Sequence, residues 1–289
     1  MRILLDTDIG DDIDDALAIA LALRHPDVEL VGVTTVFRDT TLRARMSRHL
    51  LDVYGHSHIP VYAGAGKPLL RPMPRESHEP QLDLTPTEVA DSASMHAVDI
   101  IRNTYAQPGS DVTLVMIGPL TNLALALAID PTLAQRIPRV VAMGGWIGRA
   151  APEWNIKCDA EAAAVVLNAG LPLTLVPLDV TLKTGMQPNH LQMLQAATDE
   201  PTRWLMRLTE VWQRRTQQLP MLHDPLALAV AIDPGFVTTQ SLALDVVTAQ
   251  GPGYGMTCIL EDTVPSVEVA LDVNGARFLD WYIDQVIAA

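Results

Sequence analysis

Short β-branched runs alternate with helical patterns along the whole chain, and this alternation predicts an α/β fold. The expected architecture is a doubly wound, mostly parallel sheet with helices on both faces. Two further features support it. The strand-like runs are apolar on both faces, as strands buried between two helix layers must be. The segments between them are long enough for right-handed helical crossovers.

The elements follow in order. Arg2–Asp6 (RILLD) reads as a strand and Ile13–Arg24, rich in Ala and Leu, as a helix. Val28–Val36 is the next strand and Leu42–Tyr54 the next helix. Lys67–Pro86, Pro-rich and polar, reads as a long loop, followed by a helix over about Pro86–Tyr105 and a strand at Val112–Ile117. Then come the helical LTNLALALAI, the strand RVVAMGG, the helix DAEAAAVVLNAG and the strand LTLVPLDV. Gln187–Leu222 reads as mostly helical, and Leu242–Val247, Met256–Leu260 and Ser266–Leu271 as strands before a closing helix at Gly275–Ile287. No repeat, low-complexity tract or linker divides the chain, so residues 1–289 are expected to form one domain.

Composition excludes several classes. At 48% hydrophobic and 19% charged, the chain has too much apolar and too little charged content for disorder. A net charge of −14 opposes non-specific nucleic-acid binding, which needs cations against phosphates. No apolar run reaches the roughly 20 residues of a membrane span, and the N-terminus turns acidic before a signal peptide develops. Two cysteines, Cys158 and Cys258, cannot build a disulfide scaffold, so a cytoplasmic setting is expected.

The segment most informative about chemistry is Asp6-Thr-Asp8-Ile-Gly10-Asp11-Asp12-Ile-Asp14-Asp15, in which six of ten residues are aspartates. It spans the C-terminal end of a strand and the start of a helix, the edge where open α/β sheets bind ligands. Carboxylates so close repel one another unless a cation or hydrogen bonds offset the repulsion. Oxygen donors alone select a hard cation, Ca²⁺ or Mg²⁺. Asp11 and Asp12 are read as helix-capping residues, since acids suit a first turn. Capping does not account for Asp6 or Asp8, which precede the helix; Asp8 and Asp15 are the expected metal ligands. An EF-hand loop fails the count, because Gly10 is fifth and Leu17 twelfth from Asp6.

These residues resemble the inosine–uridine-preferring nucleoside hydrolase family. The resemblance rests on Asp-Thr-Asp-x-Gly with Asp-Asp-Ala-Leu-Ala-Ile, on Thr34-Thr35-Val36, and on Ile117-Gly118-Pro119-Leu120-Thr121-Asn122. It continues through Met143-Gly144-Gly145, Glu153-Trp154-Asn155-Ile156, Asp159-Ala-Glu161-Ala and His223-Asp224-Pro225. These blocks stand in family order across nearly the whole chain. The resemblance implies a nucleoside hydrolase-like fold and calcium-dependent hydrolysis of ribonucleosides to free base and ribose. It also implies Ca²⁺ held by Asp8, Asp15, Asp224 and the carbonyl of Ile117, with Asp8 as general base. Asp14, Glu153, Asn155 and Asp224 are assigned to the ribose hydroxyls, and Asp39 takes the place of a ribose-contacting Asn. The family forms dimers and tetramers, so a homo-oligomer is expected.

Other readings stay open at this point. His223 is either a leaving-group acid or a structural helix-start residue. Trp146 and Trp154 either stack on the base or pack in the core. Arg214 and Arg215 are surface residues unless they meet an acidic group on the base side. The first motif is two residues longer between Gly10 and Asp14 than in the best-known members, and the His-Gly-x-x-Gly stretch expected near residues 75–85 is replaced by RPMPRESHEPQLD. The rival enzyme is a haloacid-dehalogenase-type phosphatase with Asp6 as nucleophile, although Gly10 stands where that motif has Thr or Val. A non-catalytic, calcium-stabilised nucleoside- or ribose-binding protein is the other rival.

Overall fold

The computed structural model describes residues 1–72 and 93–287. β1 (Arg2–Thr7), β2 (Glu29–Thr35) and β3 (Val61–Ala63) are joined through α1 (Asp14–Arg24) and α2 (Thr40–Val53). α3 (Ala97–Thr104) leads to β4 (Val112–Met116), α4 (Thr121–Ile129) and β5 (Val140–Met143). α5 (Trp154–Cys158) and α6 (Ala160–Leu167) precede β6 (Leu173–Val176) and the single turn α7 (Leu178–Thr181). α8 (Pro188–Ala196), α9 (Glu200–Thr216) and α10 (His223–Ile232) form a helical stretch, followed by β7 (Val237–Leu242), β8 (Leu244–Val246), β9 (Thr257–Ile259), β10 (Val267–Val273) and α11 (Gly275–Ile287).

Eight strands make one sheet in the order β3-β2-β1-β4-β5-β6-β10-β7, and β8 pairs with β9 separately. Every pair in the large sheet is parallel except β10 with β7. Side chains alternate as a pleated strand requires. Ile3 and Leu5 of β1, Val115 of β4 and Val141 of β5 pack in the core shared with α1, α2, α9, α10 and α11. Leu4, Leu114, Met116, Val140 and Ala142 pack in the opposite core with α3, α4 and α6. Ala16, Ala18, Ala20 and Ala22 keep α1 slim enough to bury nine residues.

This strand order fixes where a ligand site forms. From β1 the chain winds outward through β2 and β3, then returns to lay β4 on the other side of β1. The C-terminal ends of β1 and β4 therefore flank a topological switch point, where successive connections diverge and leave a crevice.

The structure departs from the sequence-based expectations in four places. The strand read as LTLVPLDV stops at Val176, because Pro177 lacks the N–H a ladder needs, and the chain turns into α7. The Gln187–Leu222 stretch splits into α8 and α9 where Asp199 caps a new helix start. β7 was not anticipated: its central residues are exposed at the sheet edge, so they carry no apolar pattern. α3 starts at Ala97, with His96 accepting from the Val98 N–H. The part of the expected loop and helix that falls on 73–92 lies outside the described residues.

Candidate functional site

At the switch point lies a cavity of about 510 Å³, lined from the ends of β1, β4 and β5, the starts of α1, α5 and α10, and α7. Asp14, Asp15 and Asp224 each bring a carboxylate oxygen to within 4.8 Å of the others, and all three side chains are buried. Asp14 and Asp15 open α1, and Asp224 stands in the first turn of α10, the helix most closely packed on α1. The Asp14 Oδ2 accepts from the Asp224 N–H at 3.2 Å, which ties the two helix starts together. Asp15 is oriented by the Thr7 hydroxyl, which donates to its Oδ1 while accepting from the Ile9 N–H. Asp8 is also buried and lines the cavity, though it lies outside the close trio.

Burial drives the protonation behaviour of this group. It pushes Asp8, Asp14 and Asp224 well above the usual carboxylate range, and the neighbouring carboxylates push further. Asp15 is raised by burial to about 7 despite its bond from Thr7. Buried carboxylates that repel one another are stable as ions only when a cation shares their oxygens. The donor set is oxygen throughout, which fits calcium or magnesium and not zinc. The carbonyl of Ile117, at the end of β4, adds a neutral oxygen to the cavity wall. It accepts one bond from Asn155 Nδ2 at 3.0 Å and keeps a second lone pair. Gly118 makes this approach feasible: a Cβ there would stand 2.8 Å from Asp8 Oδ1 and 2.8 Å from Val36.

The opposite wall comes from α5. Glu153 is its N-cap, accepting from the N–H groups of Gly145 at 3.0 Å, Asn155 at 2.9 Å and Ile156 at 3.0 Å. Burial raises its pKa while these donors resist the rise. Asn155 turns its amide nitrogen to Ile117 and Met143, so its oxygen remains to face a ligand. His223 lines the cavity with Nδ1 2.7 Å from the Thr181 hydroxyl. Burial lowers its pKa to about 4, so the ring is neutral near pH 7. Trp154 also lines the cavity, with Phe37 edge-on at 6.5 Å.

Several expected residues stand elsewhere. Asp39 is exposed and caps α2, accepting from the Leu42 N–H at 2.9 Å, and it is not part of the cavity lining. Phe37 and Arg38 both take positive φ, 69° and 61°, and this turn carries Asp39 to the helix start instead. Asp11 and Asp12 do not cap α1, whose N-cap is Ile13 with no side-chain bond; both line the cavity. Asp6 is fully buried and outside the cavity lining, its Oδ2 accepting from Thr34 at 2.6 Å and Asn122 at 2.7 Å, so it has no access to a phosphoester. Trp146 lies outside the lining with Arg149 over its ring, and Arg214 pairs with Glu210 on the exposed face of α9, where Arg215 is exposed too. Sequence reasoning missed Thr7, Thr181 and Arg43. Arg43 had a readable signal: it lies seven and eight residues before the apolar Leu50 and Leu51, on the inward face of its helix.

Comparison with known proteins shows the family to which the chain belongs. A family model described as "Inosine-uridine preferring nucleoside hydrolase" matches residues 3–280. The chain is 33% identical to the inosine-uridine preferring nucleoside hydrolase of Crithidia fasciculata, over 89% of this chain and 86% of that protein. It is 33% identical to the pyrimidine-specific ribonucleoside hydrolase RihB of Escherichia coli, over 97% of this chain and 94% of that protein. Among solved structures, a purine-preferring ribonucleoside hydrolase from Gardnerella vaginalis superposes with a TM-score of 0.87 at 29% identity, covering 100% of this chain and 98% of that one.

Proposed function

Since the chain belongs to the inosine-uridine preferring nucleoside hydrolase family and is a ribonucleoside hydrolase, we propose that it works with calcium held in the acidic cavity at the switch point. The observation that carries this reading is the buried trio Asp14, Asp15 and Asp224 beside Asp8, an all-oxygen donor set whose charge needs a cation. Asp15, Asp224, Asp8 and the Ile117 carbonyl would hold the ion, with Asp14 near enough to meet either the ion or a ribose hydroxyl. Bound calcium supplies Lewis-acid activation of water and orients it.

The chain's own groups account for the rest of the reaction. Asp8 takes a proton from the attacking water as its oxygen bonds to C1′ and the bond from C1′ to the base breaks. The ribosyl group carries positive charge at that stage, and the surrounding carboxylates stabilise it. Glu153, Asn155 and Asp224 hold ribose hydroxyls, which makes a sugar lacking one of them a poor substrate. Glu153 suits this role because three backbone N–H groups already fix its orientation. When Thr181 donates to Nδ1 of the neutral His223, the ring proton sits on Nε2, which hydrogen-bonds the departing base and stabilises the charge it carries as it leaves, the base then taking its proton from water. Trp154 offers an apolar wall beside that path.

The relatives differ in their stated base preference, so the base is decided by experiment. A panel of purine, pyrimidine and modified ribonucleosides, incubated with calcium and read by chromatography, should show free base and ribose in equal amounts from at least one member. Absence of base release from every member would overturn the reading.

A further inference from the structure

The segment between β1 and α1, residues 8–13, forms neither helix nor strand and bends at Gly10, where φ is 117°. It nevertheless carries Asp8 and Asp11 and leads directly into Asp14 and Asp15. Something outside the segment must fix its course. Arg43 of α2 reaches it from behind. Its side chain is fully buried, and its donors are spread over several partners. Nη1 donates to the carbonyls of Asp8 and Ile9, the latter at 2.7 Å. Nη2 lies 3.3 Å from Asp11 Oδ2, and Nε donates to the Phe37 carbonyl at 2.8 Å. The guanidinium thus joins three points on the acidic segment to the positive-φ turn after β2.

We propose that Arg43 is the positioning residue of the acidic segment, holding the main chain at Asp8 and Ile9 and the side chain of Asp11 so that Asp8 and the cation ligands face the cavity in register. The proposal rests on the reading above for the role given to Asp8 and for calcium as the cation. A planar fork with five donors can satisfy carbonyls and a carboxylate at once, whereas an ammonium is a point charge on a flexible stem. Burying a guanidinium is costly unless its donors are met, so its full burial here implies a geometry that needs it. It also places a permanent positive charge behind a group of carboxylates.

The test compares Arg43→Lys with Leu50→Ala. Leu50 is a buried apolar residue further along the same helix and is not part of the cavity lining. Each variant is measured for thermal stability, for calcium affinity by titration calorimetry, and for kcat and KM on the best nucleoside. Arg43→Lys should lower kcat by roughly 10²-fold, the scale of a small misplacement of reacting groups, and weaken calcium binding. Leu50→Ala should lower the melting temperature at least as much while leaving kcat and calcium affinity unchanged. Wild-type kcat and calcium affinity in Arg43→Lys would overturn the proposal, as would losses in Leu50→Ala that follow its stability. If the wild-type chain released no base, the proposed function would fall, and the calcium titrations would still decide the role of Arg43.

Discussion

Two sets of aspartates in this molecule are treated in opposite ways by the fold. Asp39, Asp130, Asp159 and Asp199 sit at helix N-caps and accept backbone N–H groups. Asp130 is held below its usual range by the Thr132 hydroxyl and Arg136. At Asp199 burial works upward, yet the Thr202 donors and Arg24 outweigh it, and the net shift is down. Asp8, Asp14, Asp15 and Asp224 are more deeply buried, meet fewer donors and face one another, so all shift upward. Asp159 marks the boundary: it is a cap, but fully buried, and burial raises it. A cap spends its charge on the chain itself. The cavity aspartates leave theirs for something else, and that unspent charge marks the site.

The sharpest way to break this contrast is to remove the metal. Exhaustive chelation should abolish turnover and lower the melting temperature, and calcium should restore both by linkage. The pH dependence has a definite sign. Asp15 and Asp6 ionise near 3.8 in an unfolded chain and near 7 in the metal-free fold. Stability of the metal-free chain is therefore fully present below the lower value and is lost as pH rises toward the higher one. Calcium needs ionised ligands, so its stabilising increment should be larger near pH 8 than near pH 5. Melting curves with chelator and with calcium across that range measure it; an increment independent of pH would mean that Asp15 and the cavity carboxylates beside it do not hold the ion.

Smaller in effect is the change of a single oxygen to nitrogen at Asp8. Asp8→Asn keeps the shape and removes the proton acceptor, so turnover should fall at least about 10²-fold on every substrate, including a 4-nitrophenyl riboside whose leaving group departs unaided. Turnover near wild type on that riboside would show that Asp8 is not the base.

Much of this site was legible before the fold was known, for a local reason. The residues at the ends of β1, β4 and β5 are fixed to the same sheet edge by strand pairing, so short motifs such as Asp-Thr-Asp and Gly-Pro-Leu-Thr-Asn carry their spatial position with them. Asp224 and His223 follow because their helix packs on α1. Thr7 and Thr181 were illegible, and of Arg43 only its inward position could be read, because their roles depend on which carbonyl, carboxylate or ring stands opposite, and only tertiary packing decides that. Asp39 shows the converse. Its spacing to Leu42 is an ordinary capping signal, and two positive-φ residues give the cap precedence over the cavity. β7 escaped notice because an edge strand needs no apolar pattern.

The finest test of the contrast is one of sign. In the metal-free chain, Asp14 is buried against Asp12, Asp15 and Asp8, so its carboxyl is costly to ionise, and replacing it with a neutral amide removes that cost. Asp14→Asn should therefore raise the melting temperature of the metal-free protein, although it damages the site. Asp199→Ala should do the reverse. It deletes the bonds from the Thr202 N–H and hydroxyl, both at 3.0 Å, and the ion pair with Arg24. Loss of a cap costs about 1 kcal/mol, which in a chain of this size is a fall of about 2 °C. Turnover with calcium should be untouched, because α9 contributes no residue to the cavity lining. Scanning calorimetry on the two variants, with and without calcium, reads both signs. If Asp14→Asn destabilised the metal-free chain as Asp199→Ala does, the charge at Asp14 would already be satisfied within the fold, and the distinction between the two sets of aspartates would fail at its centre.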